Sequence, residues 1–397
     1  MVNDFTYYTP TKIIFGRGAE KQTGEQIKAF GGTKALVVYG SDRVLKNGLM
    51  DTVLASLDEA GIGHVLLGGV VPNPLLSLVY TGIDLAKKEN VDFLLAIGGG
   101  SVIDTAKAIG YGLAEPDRDV WELYDHKRKA EACYPVAAVL TIAAAGSEMS
   151  DSSVITNEKT GEKRGYSSDF CRCRFAVMNP ELTITLPDYQ TMSGCADMQM
   201  HTMERYFTRK GSMEITDALA EGLMRTVMEQ AVILHTDPAN YDARAVVMWA
   251  SSLAHNGLTG CGNGGNDFAT HRLEHELGGM FNVTHGAGLC AVWGSWARYV
   301  YKDCLPRFVR FAEKVHGIEH TETDEETALK GIEAQEAFYR SIGMPTDIRE
   351  LGIDPTEDQL REMAHRCSIA VGGKIGAAKE LREEDMYEIY KMALKRP

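Results

Sequence analysis

Several features that define other classes of protein are absent from this sequence of 397 residues. It contains no uninterrupted apolar run of about 18 or more residues, the length that a membrane-spanning helix needs. Its eight cysteines are scattered without a CxxC pair, which argues against a disulfide framework and a thiolate zinc site. They are expected to be reduced thiols.

Positive charge is also in deficit, since 41 Lys and Arg stand against 55 Asp and Glu, for a net charge of −14. This balance excludes nucleic acid and anionic membranes as expected partners. The amino terminus lacks a basic patch followed by an apolar stretch, so no signal peptide is predicted. A soluble, cytoplasmic protein is expected.

The length points to two domains, because one hydrophobic core usually serves roughly 250–300 residues at most. Up to residue 187, short apolar or β-branched runs alternate with amphipathic stretches, as in a parallel sheet flanked by helices. The predicted strands are 12–15, 35–39, 64–67, 93–97, 136–142 and 175–178, and the predicted helices include 45–60, 75–90 and 102–113. Residues 1–187 are therefore predicted to form an α/β domain.

Residues 188–397 follow a different pattern, in which the apolar spacing is near that of an α-helix. The predicted helices are 213–235, 243–258, 325–341 and 384–394. The second domain is therefore predicted to be all-helical.

Three glycines followed by a serine, Gly98, Gly99, Gly100 and Ser101, connect an apolar strand to a predicted helix. Without Cβ atoms the backbone can approach an anion closely, and the start of the helix stabilises its negative charge. Ser101 also suits the N-cap position. The alternative is an ordinary strand-to-helix turn with Asp104 and Lys107 in solvent, and the spacing matches neither GxGxxG nor a Walker loop.

Two further turns lie after predicted strands. At the first, Gly40, Ser41 and Asp42 precede Arg43. An acidic side chain here favours the free ribose 2′-hydroxyl of NAD, whereas an arginine favours the 2′-phosphate of NADP. Both cofactors therefore stay open. At the second, the hydroxyls of Thr141 and Ser147 are candidate cofactor contacts, although ordinary turn polarity explains them equally well. All three turns are expected at one edge of the sheet.

Asp197 and His201 are four residues apart in a predicted helix, so that a carboxylate and an imidazole project from one face. Such a pair can bind one metal ion, although it also occurs as a simple surface contact. Further along, His271, His275 and His285 are three of only eleven histidines and fall within a short span. A cation held by Asp197 and His201 would give these imidazoles a partner. The HELGG stretch lacks the spacing of a zinc protease.

Taken together, these motifs resemble the iron-containing alcohol dehydrogenase family, in particular its butanol dehydrogenase branch. The resemblance spans nearly the whole chain and rests on several motifs in the right order. They are VPNP at 71–74, GGGSVIDTAK at 98–107, GSE at 146–148, GCADMQMHTME at 194–204, and THRLEHELGG with the following HG between 270 and 286.

The resemblance implies a dehydroquinate synthase-like architecture, with an amino-terminal dinucleotide-binding domain and a helical carboxyl-terminal domain whose cleft holds cofactor and metal. It implies a homodimer and places His275 near the nicotinamide and substrate as a candidate proton relay. Carried over by motif, the metal ligands are Asp197, His201, His271 and His285. The implied cofactor contacts are Gly98, Gly99, Gly100, Ser101, Asp104, Thr141, Ser147 and Lys163.

Three imidazoles and one carboxylate suit Fe²⁺ or Zn²⁺, and the resemblance favours iron. The expected reaction is hydride transfer between nicotinamide C4 and a primary alcohol or aldehyde such as butanol or butyraldehyde, with the metal as Lewis acid. Polyol dehydrogenases and an NAD-using cyclising lyase share this architecture, but such relatives resemble a three-ligand site, and His201 argues against them. A nucleotide and metal sensor without turnover is the non-enzymatic alternative.

Overall fold

The computed structural model describes residues 2–394, which form two compact units. Tyr8–Thr185 make up the first unit, and the described residues before Tyr8 and after Thr185 make up the second. The initial segment joins the second unit in part through the backbone N–H of Asn3, which donates to the carbonyl of Gly262 at 3.1 Å.

The first unit is built on a parallel sheet of six strands, in the order β1-β8-β5-β4-β2-β3. All six correspond to predicted strands. The central strands are apolar along their whole length because helices cover both faces of a parallel sheet. The strands of this sheet are β1 (Lys12–Phe15), β2 (Lys34–Tyr39), β3 (Gly63–Leu67), β4 (Phe93–Gly98), β5 (Val136–Leu140) and β8 (Phe175–Met178).

A separate antiparallel hairpin, which the sequence pattern did not predict, consists of β6 (Ser152–Asn157) and β7 (Glu162–Ser167). Gly161 turns the chain between them with a φ of 71°. Most residues of the two strands, SSVITN and EKRGYS, are polar or charged, so they lack the apolar content that identifies the parallel strands.

Six α-helices belong to the first unit. The predicted helix 45–60 is in fact two helices, because Gly48 has a φ of 81° and interrupts the helical backbone. The helices are α1 (Thr23–Ala29), α2 (Arg43–Lys46), α3 (Leu49–Ala60), α4 (Leu76–Lys88), α5 (Gly100–Ala114) and α6 (Trp121–Tyr124).

Apart from one isolated β-bridge between Ile375 and Leu381, the regular secondary structure described in the second unit is helical, so the predicted fold class is confirmed. At its centre lies α7, which is buried almost continuously from Thr191 to Tyr206. Its helices are α7 (Asp188–Tyr206), α8 (Glu214–Thr236), α9 (Tyr241–His255), α10 (Ala269–Phe281), α11 (His285–Val300), α12 (Leu305–Val315), α13 (Asp324–Ser341), α14 (Glu357–Ala370) and α15 (Glu383–Leu394).

Two expectations from composition can be compared with this fold. All eight cysteines carry free thiols, as predicted. Between residues 2 and 394, none of the helices combines the length and the apolar character needed to cross a bilayer.

One histidine in the helical unit makes stability depend on pH. The ring of His316, at the end of α12, packs on Phe311 with centroids 4.9 Å apart, and its Nε2 lies 3.1 Å from Oε1 of Gln335. Burial lowers the pKa of His316 to about 4, and the hydrogen bond to Gln335 opposes this only in part.

We therefore expect acid to destabilise the fold through His316. Between pH 6.5 and 4 the unfolded chain takes up a proton that folded His316 does not, so stability falls as pH falls. Because the ring is partly exposed, the expected loss is about 2 kcal/mol. Urea unfolding of wild type and His316→Gln across this window measures it. Equal pH slopes for the two proteins would contradict the assignment.

Candidate functional site

Helix α7 carries three acidic or imidazole side chains on one face. Asp197, His201 and Glu204 follow a spacing of four and then three residues, which aligns them along a helix. All three are at least 95% buried. Buried ionisable groups need partners, so this face is built for a polar centre rather than for the apolar core.

Three of the four predicted metal ligands turn a ring nitrogen toward one oxygen of the fourth, Asp197. Oδ1 of Asp197 lies 3.4 Å from Nε2 of His201, 3.5 Å from Nε2 of His271 and 3.8 Å from Nε2 of His285. Two atoms bound to one ion at about 2.1 Å each must lie within about 4.2 Å of one another. All three distances from Asp197 meet this limit. The ligand atoms of Asp197, His201 and His271 also lie within 4.8 Å of one another, whereas a ring nitrogen of His285 is grouped in this way with Glu274 and His275.

A glycine allows α11 to lie against α7, and a residue with a left-handed backbone precedes α10. A Cβ at Gly286 would lie 2.1 Å from the carbonyl oxygen of Ser193, so only glycine allows α11 to approach α7 with His285 at its first turn. Phe268, just before α10, has a φ of 52°, unusual for a bulky residue. Its ring lies 5.4 Å from that of His271 and 6.1 Å from that of His201.

Two carboxylates that sequence reasoning missed orient the imidazoles. Nδ1 of His271 is hydrogen-bonded to Oε2 of Glu204, and Nδ1 of His285 is hydrogen-bonded to Oε2 of Glu274. With Nδ1 engaged in this way, each ring turns its Nε2 toward Asp197. Gly288 leaves space for this arrangement, because a Cβ there would lie 2.8 Å from Cγ of Glu274.

The electrostatics of the cluster favour a cation. Burial holds the pKa of His201 well below its usual value, so this ring is neutral, as a metal ligand must be. Burial also lowers the pKa of His271, but Glu204 and Asp197 outweigh that effect and raise it to about 9. The surroundings of His271 thus stabilise a positive charge.

A divalent metal ion fits these residues. Oδ1 of Asp197 and Nε2 of His271 are buried and have no hydrogen-bond partner. Three buried carboxylates, those of Asp197, Glu204 and Glu274, surround the imidazoles, and a divalent ion would offset two of their charges. Imidazole nitrogen and carboxylate oxygen are ligands that Fe²⁺ and Zn²⁺ both accept.

His275 lies beside this cluster on α10. A ring nitrogen of His275, a ring nitrogen of His285 and a carboxylate oxygen of Glu274 are all within 4.8 Å of one another. The rings of His275 and His285 are 5.9 Å apart between centroids. The predicted proton relay is therefore next to one predicted ligand.

A further imidazole, which no motif indicated, also reaches the cluster. His255, the last residue of α9, places its Nδ1 3.0 Å from Nε2 of His201. Fifty-four residues separate the two histidines in the chain, so no local spacing could have revealed the contact.

In the first unit, the glycine-rich turn lies where β4 passes into α5. Gly98 ends the strand, and Gly99, rather than the predicted Ser101, is the N-cap. A Cβ at Gly98 would lie 2.4 Å from Cγ2 of Val102, whereas one at Gly100 would meet nothing closer than Cβ of Ala145, at 3.9 Å. Gly98 is thus required by packing, while the fold leaves room for a Cβ at Gly100.

Asp104 and Lys107 are both bonded within the first unit, so the alternative that they lie in solvent is wrong. Asp104 accepts hydrogen bonds from the hydroxyl of Ser147 at 2.6 Å and from the backbone N–H of Val154 at 2.9 Å. The wholly buried ammonium of Lys107 donates to the carbonyls of Ser147, Ser150 and Ser152 at 2.7, 3.0 and 2.8 Å. Helix α5 thereby holds the turn after β5 in place.

The three glycine-bearing turns lie at one edge of the sheet, as predicted, since β2, β4 and β5 are parallel neighbours. Thr141 follows β5, and its N–H donates to the carbonyl of Gly98 at 3.0 Å. Lys163 is buried on β7, opposite Thr156.

The turn after β2 does not distinguish NAD from NADP. Ser41 and Asp42 are exposed beside Gly40, while the guanidinium of Arg43 donates to the hydroxyl of Thr185.

Comparisons with known proteins show which family the chain belongs to. The family model described as iron-containing alcohol dehydrogenase matches residues 10–180, and the model for the carboxyl-terminal part of that family matches residues 191–394. NADH-dependent butanol dehydrogenase A from Clostridium acetobutylicum is 38% identical over 98% of each chain. The NADPH-dependent aldehyde reductase YqhD from Escherichia coli is 36% identical over 89% of this chain and 90% of the relative.

A solved structure extends the likeness to three dimensions. The crystal structure of NADH-dependent butanol dehydrogenase A from Thermotoga maritima has a TM-score of 0.95 and 39% identity, covering 99% of both chains. Two family models that together span most of the chain, and relatives aligned over nearly their whole length, leave one assignment. The chain belongs to the iron-containing alcohol dehydrogenase family and is an oxidoreductase of that family.

Proposed function

We propose that this protein is a metal-dependent, NAD(P)-linked alcohol dehydrogenase or aldehyde reductase acting on primary alcohols and aldehydes such as butanol and butyraldehyde. The observation that carries the proposal is the convergence of three imidazole Nε2 atoms on Oδ1 of Asp197. The relatives named for butanol and for aldehydes support the substrate class. They support the polyol dehydrogenase and cyclising lyase alternatives less well.

In this proposal Asp197, His201, His271 and His285 hold Fe²⁺, with Zn²⁺ as an alternative ion. When bound, the metal would act as a Lewis acid toward the substrate oxygen, and the nicotinamide would donate or accept the hydride at C4. Glu204 and Glu274 keep the rings of His271 and His285 in the orientation that the metal needs. His275 is the proposed carrier of the proton that the substrate oxygen gains or loses, since imidazole exchanges protons near neutral pH.

The cofactor is proposed to bind at the three turns of the first unit. Gly98, Gly99, Gly100 and Ser101 would hold the pyrophosphate at the start of α5, where the helix dipole favours negative charge. Gly40, Ser41, Asp42, Asp104, Thr141, Ser147 and Lys163 are the further proposed contacts. NADH and NADPH are both retained, since the relatives are named for either cofactor.

Replacing Gly100 with alanine is expected to weaken NAD(P)H binding without harming the fold. The added Cβ meets only ordinary contacts in the protein, and alanine favours the helix. It would instead occupy the surface that a pyrophosphate approaches, so we expect about a tenfold rise in the cofactor Kd, or about 1.4 kcal/mol. Fluorescence titration with NADH and NADPH measures the Kd.

Gly98→Ala is the matched comparison for this variant. Its Cβ would collide with Val102, so that substitution should lower the melting temperature as well as the affinity. An unchanged cofactor Kd in Gly100→Ala would remove the glycine-rich turn from the proposed cofactor site.

Metal-dependent turnover tests the proposed function directly. The protein is stripped with a chelator, reconstituted with Fe²⁺ or Zn²⁺, and assayed for oxidation of NADH and NADPH with butyraldehyde. A second assay follows reduction of NAD⁺ and NADP⁺ with glycerol, the polyol-type reaction. Aldehyde-dependent oxidation that needs the metal is the expected result, and the ratio of the two cofactors gives the preference. Binding of metal and cofactor without turnover of any aldehyde or alcohol would favour the sensor alternative.

A homodimer and a cytoplasmic location belong to the same proposal. The dimer is supported by the family resemblance alone. Size-exclusion chromatography with light scattering, run on the metal-loaded protein, distinguishes a dimer from the 43.5 kDa monomer.

A further inference from the structure

Asp267 is a buried carboxylate that the proposed function does not use. It lies in the connection between α9 and α10 and is 1% exposed. Burial and the nearby Glu204 raise the pKa of Asp267 to about 7, even though three backbone N–H groups stabilise its ionised form. A buried acid is costly to keep, so the contacts that hold it indicate its role.

The carboxylate of Asp267 joins the start of α10 to the connection between α14 and α15, 110 residues further along the chain. Its Oδ1 accepts a hydrogen bond from the backbone N–H of Ala269 at 3.1 Å. Its Oδ2 accepts from the backbone N–H groups of Ala377 and Ala378 at 2.7 and 2.8 Å. The N–H of Asp267 itself donates to the carbonyl of Glu204 on α7 at 2.7 Å. One residue thus ties three segments of the helical unit together.

The first turn of α10 depends on these contacts. The N–H groups at the start of a helix have no partners within it, and the N-cap, Phe268, offers none from its side chain. The carboxylate of Asp267 accepts the N–H of Ala269 instead. The carboxylate of Glu204 accepts the N–H of His271 at 3.1 Å. Two carboxylates therefore set the position at which α10 begins, and with it the position of His271.

The segment 376–378, on which Asp267 is anchored, is itself fixed. Gly376 has a φ of 110°, and a Cβ there would lie 2.1 Å from the carbonyl oxygen of Lys379, so only glycine fits. The N–H of Arg209, shortly after α7, donates to the carbonyl of Ala377 at 3.3 Å. The anchor therefore has a defined position relative to α7, the helix that carries Asp197 and His201.

We infer that Asp267 is a positioning residue of the metal centre, which holds His271 in place by anchoring the first turn of α10 on the segment 376–378. The inference rests on the metal site of the proposed function. Metal ligands must be held within about 0.5 Å of their productive geometry. Glu204 fixes His271 relative to α7, whereas Asp267 fixes the helix that carries it.

Metal affinity and the spectrum of bound Co²⁺ test this inference without relying on activity. Asp267→Ala removes all three acceptor contacts, whereas Asp267→Asn keeps one carbonyl oxygen as an acceptor. We expect the metal Kd, measured by chelator competition, to rise about tenfold in Asp267→Ala and about threefold in Asp267→Asn. The visible absorption of Co²⁺ depends on ligand geometry, so its bands should shift in the same order.

Two further variants separate positioning from general stability. Asp217 on α8 is an equally buried carboxylate, which accepts from both Nη atoms of Arg307 at 2.6 and 2.7 Å. Asp217→Asn should therefore lower the melting temperature but leave the metal Kd and the Co²⁺ spectrum unchanged. Gly376→Ala displaces the anchor without altering Asp267, and it should raise the metal Kd as well. Combined with Asp267→Ala it should add little, because both changes break the same link.

The outcomes distinguish this inference from the proposed function. Wild-type metal Kd and Co²⁺ spectrum in folded Asp267→Ala would overturn the inference. Circular dichroism of the metal-free proteins identifies a variant that does not fold, and wild-type values in Asp267→Asn and Gly376→Ala would then overturn it equally. If His271→Ala loses the metal while Asp267→Ala keeps it, the inference alone fails. If His271→Ala binds one metal ion as tightly as the wild type, the metal site of the proposed function is wrong, and the inference fails with it.

Discussion

Replacing His271 with alanine is expected to abolish metal binding and to lower aldehyde-dependent oxidation of NAD(P)H by about 10³-fold or more. A Lewis acid contributes several kcal/mol to such a reaction, and each 1.4 kcal/mol or so is a factor of ten in rate. His271 is a strong choice for this test because its Nε2 faces Asp197 from inside the protein, 3.5 Å away, where water cannot easily replace it.

The variant also removes the imidazole that pairs with Glu204. An unpaired buried carboxylate costs roughly 3–5 kcal/mol, so reduced stability could by itself explain lost activity. The double variant His271→Ala with Glu204→Gln removes that charge, and we expect it to recover stability without recovering metal binding.

Metal content per chain, the melting temperature and the cofactor Kd together distinguish these effects. The cofactor Kd should stay near that of the wild type, because the proposed cofactor turns belong to the other compact unit. His365→Ala controls for the loss of one imidazole. One metal ion per chain in the folded double variant would show that His271 is not a ligand.

The parallel sheet was predictable because each strand can be recognised from its own local sequence. β4 and β5 are buried at every position, and such strands are continuous apolar runs bounded by glycine or proline. The hairpin β6–β7 was not predictable in this way. It has mixed polar sequence, and its position depends on contacts such as the hydrogen bond from the backbone of Val154 to Asp104, fifty residues earlier in the chain.

The residues of the candidate metal site likewise include some that the sequence predicts and some that it does not. Asp197 and His201 are detectable because a helix brings residues four apart together. Their meeting with His285 depends on the close contact at Gly286, and the role of this glycine emerges only from the packing of α11 on α7. His255 belongs to no motif and reaches the cluster through a helix whose end Arg205 holds.

The sequence does contain a pattern that indicates Glu204 and Glu274. Glu204 is three residues after His201, and Glu274 is three residues after His271, so each lies on the metal-facing side of its helix. Charged residues at such spacing are usually exposed, and burial distinguishes these two: they are 1% and 0% exposed. A carboxylate that follows a candidate ligand by three residues is therefore a candidate for orienting another ligand.

Glu204→Gln and Glu274→Gln are each expected to weaken metal binding by about 10- to 100-fold while leaving the fold intact. Glutamine has nearly the shape of glutamate, so packing is preserved, but the charge that orients the imidazole and raises its basicity is lost. Glu204 also accepts a hydrogen bond from the backbone N–H of His271 at 3.1 Å, which the glutamine carbonyl can still accept. The metal Kd, measured by chelator competition, is the primary readout.

Combining the two substitutions tests whether both carboxylates act on the same metal ion. Each carboxylate orients a different imidazole, His271 or His285, but both imidazoles face the same oxygen of Asp197. If both act on one ion through their shared partner, the loss of metal affinity in the double variant should depart from the product of the single losses, whereas structural damage would appear as a lower melting temperature in metal-free protein. Glu362→Gln, an exposed substitution on α14, is the control. Unchanged metal affinity in both single variants would mean that the carboxylates serve packing alone and that the imidazoles are oriented by the helices that carry them.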